Sequence, residues 1–214
     1  MGRENKKEAV AALHREQIMK AAEKLFSEKG YMQTTIDDIS KESKYSRRTI
    51  YVYYESKDDI LHHIIEKGLV TLKHDIENAV SLNDDFIIGY KAICLAMSKY
   101  QSECPHSMDN INSAKSTDFD ATNLSDTVKH ILLLGTEINT ILAKFIETGK
   151  ANGVVRQDVI PMLTVYVLWS SITALLSLGQ TKGQFISKQF SISESEFLDY
   201  GFKQLINSIL EVRI

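Results

Sequence analysis

Pro105 and Pro161 are the only prolines in 214 residues, and glycine contributes just ten more breakers. Proline removes a backbone donor and clashes with the preceding turn, and glycine raises the entropic cost of a helix, so a chain poor in both runs in long helices. The apolar pattern agrees. Ile18, Ala21, Ala22, Leu25 and Phe26 follow the i, i+3, i+4, i+7, i+8 stripe of an amphipathic helix, and Ile131, Leu134, Ile138, Ile141, Leu142 and Phe145 continue the same period later in the chain. With 43% hydrophobic and 25% charged residues the chain can bury a core, which excludes disorder and fibre. The expectation is an all-α chain of about nine helices without a strand.

Caps and breakers divide the pattern. Gly30 ends the first helix, Thr34 or Thr35 caps a short one of about 36–41, and Ser46 caps another of about 47–53. Ser56 opens a fourth, with Asp58 and Asp59 at its positive end and Ile60, Leu61, Ile64, Ile65, Leu69 and Leu72 along its apolar side. Asn83 or Asp84 starts a segment that Pro105 stops, a short helix is expected near 108–114 in a polar stretch, and a long one runs over about 123–151. Asn152-Gly153 breaks that one. Two more follow, over about 159–179 and, after a polar link, 193–212.

The stretch 159–181 carries no formal charge over 23 residues. Length would allow a membrane span, but Thr164, Ser170, Ser171, Thr173, Ser177 and Gln180 interrupt it and no basic cluster flanks it. A helix apolar all round is covered on all sides, and a second subunit is the natural cover. Two cysteines in a chain whose first residues are charged argue against a disulfide framework and a leader, so a cytoplasmic location is expected.

Charge is asymmetric. Residues 1–57 hold 12 Lys and Arg against 9 Asp and Glu, and the rest 13 against 19, so a net charge of −3 conceals +3 followed by −6. A basic amino-terminal region facing a polyanion and an acidic remainder fit that split. The block 34–57 gives it chemistry. Two short helices joined by a tight turn form a helix-turn-helix, whose second helix enters the major groove with its first residues toward the bases. Arg47 and Arg48 open that helix with forks matching guanine O6 and N7, and Thr49 offers a hydroxyl and a methyl. Tyr51, Tyr53 and Lys57 suit phosphate oxygens, while Ile36, Ile39 and Ile50 hold the pair together.

These residues, with Leu25-Phe26, Gly30-Tyr31, Thr34-Thr35 and Ser46 through Tyr54 followed by Ser56-Lys57, resemble the tetracycline-repressor (TetR) family of bacterial regulators over about residues 18–61. The resemblance implies a homodimer with a DNA-binding head, placed at 1–56, and a ligand-binding and dimerisation body, placed at 57–214. It implies phosphate contacts from Thr34 or Thr35, Tyr51, Tyr53 and Lys57, and base contacts from Arg47, Arg48 and Thr49; Ser46 completes the candidate DNA-binding set. Two departures stand out. Ser43-Lys44-Tyr45 replaces the family's usual Ala-Gly-Val, so Lys44 bears any left-handed backbone cost, and Arg48 stands where glycine is common.

The expected function is a sequence-specific transcriptional regulator, a repressor released from a palindromic operator by a small, largely apolar effector. Candidate pocket residues are Cys94, Met97, Tyr100, Met108, Ile111, Leu134, Ile138 and Trp169. Candidate dimer contacts are Tyr166, Ile172, Leu175, Leu176, Phe202, Leu205 and Ile209. No phosphate-binding glycine loop, Gly-x-Ser-x-Gly elbow or His-Glu-x-x-His pair is present, so no enzyme and no cofactor are expected. A metal-responsive regulator is the alternative that His62, His63, His74, Cys94, Cys104, His106 and His130 raise, although no closely spaced ligand set stands out. A helical protein–protein adaptor is the other.

Overall fold

The computed structural model describes residues 2–103 and 124–212. Within them lie eight helices: α1 Gly2–Lys29, α2 Ile36–Ser43, α3 Arg47–Tyr53, α4 Lys57–Ser81, α5 Phe86–Glu103, α6 Asp126–Ala151, α7 Pro161–Phe190 and α8 Glu194–Asn207. The extended backbone among these residues amounts to one isolated antiparallel bridge, Val155 to Leu210, so the fold is all-α. The short helix expected near 108–114 lies outside the described residues.

Two ends differ from the sequence expectation. α7 continues through the polar stretch after Gly179 and stops only at Ser191, which takes φ 56°. Packing explains the extension: Gly179 lies against the Leu198 side chain and Gly183 against Glu194, so α8 folds back over the added turns. α8 ends at Asn207 rather than near 212 because the following residues pair elsewhere; Arg156 N–H donates to Ile209 O and Glu211 N–H to Val154 O, each at 3.0 Å.

The described chain forms two compact units. The first contains α1 to α3, α4 as far as Gly68 and the start of α6. Its core is Ile18, Ala22, Phe26, Ile39, Ile50, Tyr54, Ile60 and Ile64, all nearly inaccessible to solvent. Polar groups are satisfied within it: the Tyr54 hydroxyl donates to Arg15 O at 3.1 Å, and the buried Thr34 hydroxyl donates to Gly30 O at 2.9 Å. The second unit takes the remainder of α4 and α6 with α5, α7 and α8. Leu72, Ile76, Met97, Ile138, Val165 and Ile206 are its innermost residues, and Phe86 stacks on Phe145 at 4.4 Å. The buried Tyr90 hydroxyl donates to Phe202 O at 3.0 Å, tying α5 to α8.

α7 is long and apolar enough to cross a membrane by length and composition. In a single chain it leaves Leu163, Tyr166 and Val167 more than half exposed, while Val165, Leu168 and Ile172 face the core. The sequence expectation of a helix buried all round therefore holds on one side only, and the other side is an open apolar face.

Candidate nucleic-acid interface

α2 begins at a complete capping box. The Thr35 side chain accepts from Asp38 N–H at 3.2 Å, and the Asp38 carboxylate accepts from Thr35 N–H at 2.9 Å. Lys29, 2.7 Å from Asp38, is the largest cause holding that carboxyl well below its usual range, followed by the hydrogen bonds from Thr35. Lys44 ends α2 with φ 63° and ψ 18°, the left-handed conformation that the missing glycine would have adopted freely. The Ser40 hydroxyl donates to Tyr45 O at 2.6 Å and closes the turn. Ser46 then caps α3, accepting from Thr49 N–H at 3.1 Å.

With the turn so fixed, Ile50 is fully buried against the head core and the opposite side of α3 faces solvent. Arg47 and Arg48 are exposed at its first turn and Thr49 is half-buried beside them, its hydroxyl 2.8 Å from Ser46 Oγ. Both oxygens of the Asp37 carboxylate, on α2, meet the Arg47 guanidinium. Tyr51 is 55% exposed. Tyr53 is half-buried: its hydroxyl is 2.9 Å from His14 Nδ1, and the Arg15 guanidinium lies 5.5 Å above its ring.

The phosphate candidates are placed unequally. Thr35 is exposed, whereas Thr34 is buried with its hydroxyl committed to Gly30 and, at 3.3 Å, to Leu25 O. Lys57 donates to Tyr31 O and Thr34 O, each at 2.9 Å, and sits 4.1 Å over the Tyr31 ring. Its ammonium thus clasps the loop before α2. The sequence reading missed Asp37 as the partner of Arg47, and His14 and Arg15 as supports of Tyr53. Ten residues separate Asp37 from Arg47, and 39 separate His14 from Tyr53, so neither pairing leaves a local pattern.

In the second unit, Met97 and Trp169 line a small apolar cavity of about 30 Å³ with Tyr90, Leu142, Phe145 and Ile172. Cys94, Tyr100, Leu134 and Ile138 are buried but do not border that space, while Met108 and Ile111 lie outside the described residues. Burial, more than any charge, pushes the Cys94 thiol up to about 12. Of the expected dimer contacts, Ile172, Leu176, Phe202 and Ile209 are buried within their own chain, Leu175 and Leu205 are half-buried, and Tyr166 is 57% exposed. Leu175 packs closely on Gly201 of α8.

Among the described residues no group of three or more His, Cys, Asp and Glu side chains is placed to hold a metal ion. His63 Nδ1 and His130 Nδ1 lie 3.3 and 2.6 Å from the two oxygens of Glu66, His74 pairs with Asn78, and Cys104 and His106 lie outside the described residues.

Comparison with known proteins coincides with this geometry. Residues 18–64 match the profile of the bacterial regulatory proteins, tetR family. The HTH-type transcriptional regulator HbdR of Aromatoleum sp. (strain CIB) is 46% identical over 66 residues, which are 31% of this chain and 29% of HbdR. The likeness in structure is longer. The fatty acid degradation regulator FadR of Bacillus halodurans superposes with a TM-score of 0.66 over 90% of this chain and 94% of its own, at 16% identity. FadR of Bacillus subtilis, solved in complex with stearoyl-CoA, does so with a TM-score of 0.63 over 90% and 98%, at 18% identity. Residues 18–64 are thus similar in sequence to the tetR family of bacterial regulatory proteins, and nearly the whole chain shares the fold of regulators such as FadR, while it spans less than a third of the length of the curated relative HbdR.

Proposed function

We propose that the protein is a cytoplasmic, dimeric, sequence-specific DNA-binding regulator of transcription, a repressor released from its operator by a small, largely apolar molecule. The observation that carries the reading is the exposed Arg47-Arg48-Thr49 edge at the start of α3, held on a helix-turn-helix whose inner residue Ile50 is fully buried. A helix so anchored presents base-reading forks to the major groove, and Thr35 and Tyr51 stand exposed where they can meet phosphates. The open face of α7 at Leu163, Tyr166 and Val167 supplies an apolar surface for a second copy. Two-fold symmetry then requires a pseudo-palindromic operator with half-sites about 34–36 Å apart or a multiple of that.

Release follows from linkage. A cavity of about 30 Å³ holds little more than one water, far below the ~300–1,000 Å³ of a small-molecule site. An effector that occupies this cavity therefore displaces side chains of α5, α6 and α7, and stabilises the body in a state other than the one described. If that state binds operator less well, DNA and effector each weaken the other's affinity by one common factor. The apolar lining favours an apolar effector, and a regulator of similar fold, FadR of Bacillus subtilis, holds stearoyl-CoA.

The test is selection of bound sequences from a random duplex library, followed by titration of the winner at several salt concentrations. The expected result is a palindrome whose affinity falls steeply with salt. Enrichment of nothing at low salt overturns the reading and leaves a helical protein–protein adaptor in its place.

A further inference from the structure

We propose that Asp37 is a positioning residue for Arg47, holding the arginine so that the remaining edge of its guanidinium reads a guanine; the inference rests on the DNA-binding reading above. Arg47 Nε meets Asp37 Oδ1 and Arg47 Nη2 donates to Asp37 Oδ2, so the carboxylate grips the guanidinium from the side with both oxygens. A guanidinium carries five N–H groups in one rigid plane. The side-on pair consumes the Nε hydrogen and one of the two on Nη2. Both hydrogens of Nη1 and the second of Nη2 remain, and the end-on edge they define offers two parallel donors, the arrangement that matches guanine O6 and N7.

Both ends of the pair are anchored. Arg47 is the first residue of α3 after the Ser46 cap, and Asp37 lies in the first turn of α2 within the capping box of Thr35 and Asp38. Neither side chain is buried, with 63% of Arg47 and 45% of Asp37 exposed, and an ion pair so exposed adds little to folding. Its consequence is orientation. The rotamer freedom of a long arginine is lost before DNA arrives, so less is lost on binding, and lateral displacement toward a wrong base breaks the carboxylate contact. The carboxylate, for its part, is neutralised where a bare negative charge would face the phosphates. Arg48, exposed beside Arg47, has no acidic partner among the described residues, which makes it an internal control.

The experiment repeats the library selection with full-length wild type and with Asp37→Asn, Asp37→Ala, Asp37→Glu and Arg47→Ala. The base pair whose preference disappears in Arg47→Ala is the one Arg47 reads. Discrimination at that base pair is expected to fall about tenfold in Asp37→Asn and Asp37→Ala, the order of one bidentate contact. Asp37→Glu, which keeps the carboxylate, should retain more of it than Asp37→Asn. Affinity for random duplex should not fall, and other positions should keep their preferences. Full guanine preference in Asp37→Asn, or an equal loss of affinity on every duplex, overturns the positioning role while leaving DNA binding intact. Failure of the wild type to select any sequence overturns the DNA-binding reading itself, and the two failures are thereby distinct.

Discussion

At the scale of single residues, Lys44 states the cost of this turn most directly. Its φ of 63° is the only left-handed backbone of a non-glycine residue in the helix-turn-helix, and a side chain there strains the chain by an amount glycine avoids. Lys44→Gly is expected to stabilise the head by about 1 kcal/mol, read as a raised melting temperature; no gain would mean that the lysine makes a compensating contact. Arg47→Ala should cost about 1–3 kcal/mol on the selected operator and far less on random duplex. Lys57 serves the fold as well as the proposed contact with DNA. Since its ammonium joins Tyr31 O and Thr34 O, Lys57→Ala should lower both the melting temperature and the affinity for every duplex, and a purely electrostatic residue would move only the second. Cys94 is buried and its thiol holds its proton to about 12, so a thiol reagent at pH 8 should label it only as the chain opens. Between the usual thiol value of 9.0 and about 12 the unfolded chain ionises this group and the folded one does not, so its contribution to stability falls as pH rises through that window.

At the scale of helices, two junctions decide the arrangement. The capping box at Thr35 fixes where α2 starts and hence which way Asp37 points, and Thr35→Ala should cost about 1 kcal/mol, measurable by denaturant titration. The end of α6 depends on the absence of a side chain. A Cβ on Gly149 would stand 2.6 Å from the Phe86 ring and 2.7 Å from Val155, and that ring is already stacked on Phe145. Gly149→Ala is expected to destabilise by about 1–3 kcal/mol and to loosen the α5–α6 packing that borders the cavity. A near-neutral substitution would mean that Phe86 has somewhere to turn.

At the scale of the whole molecule, the two sides of α7 predict opposite failures. Tyr166→Asp and Val167→Asp alter the exposed face, so sedimentation should report a folded monomer with unchanged circular dichroism. Leu176→Asp puts a charge among residues buried in its own chain, so it should unfold the second unit rather than merely dissociate a dimer. Folded dimers from the first pair of variants would remove α7 from the dimer contact. For the proposed effector, the expected linkage is quantitative: whatever factor it takes from operator affinity, operator must take from its affinity.

Much of this was legible in the residues themselves, and for a local reason. Capping, left-handed turns and 3.6-residue periodicity act over four or five neighbours, so Thr35, Ser46, Gly30 and the stripe of Ile18 to Phe26 announce α1 to α3 without a fold around them. The same locality made Arg47, Arg48 and Thr49 readable as the first turn of a short helix after the Ser46 cap. Tertiary packing decided what spacing cannot encode. It extended α7 past Gly179 because α8 returns over its glycines, and it ended α8 early because the chain after it pairs with Val154 and Arg156. It buried Thr34 while exposing Thr35, although both are threonines at the same helix start, and it gave Lys57 two carbonyls. Periodicity marks a residue as apolar but not which apolar neighbour it meets, so it does not tell that Ile172, Leu176, Phe202 and Ile209 are buried within their own chain while Tyr166 is exposed. The Asp37–Arg47 pair belongs to the same class: its two residues come from different helices, and only the turn through Lys44 brings them face to face.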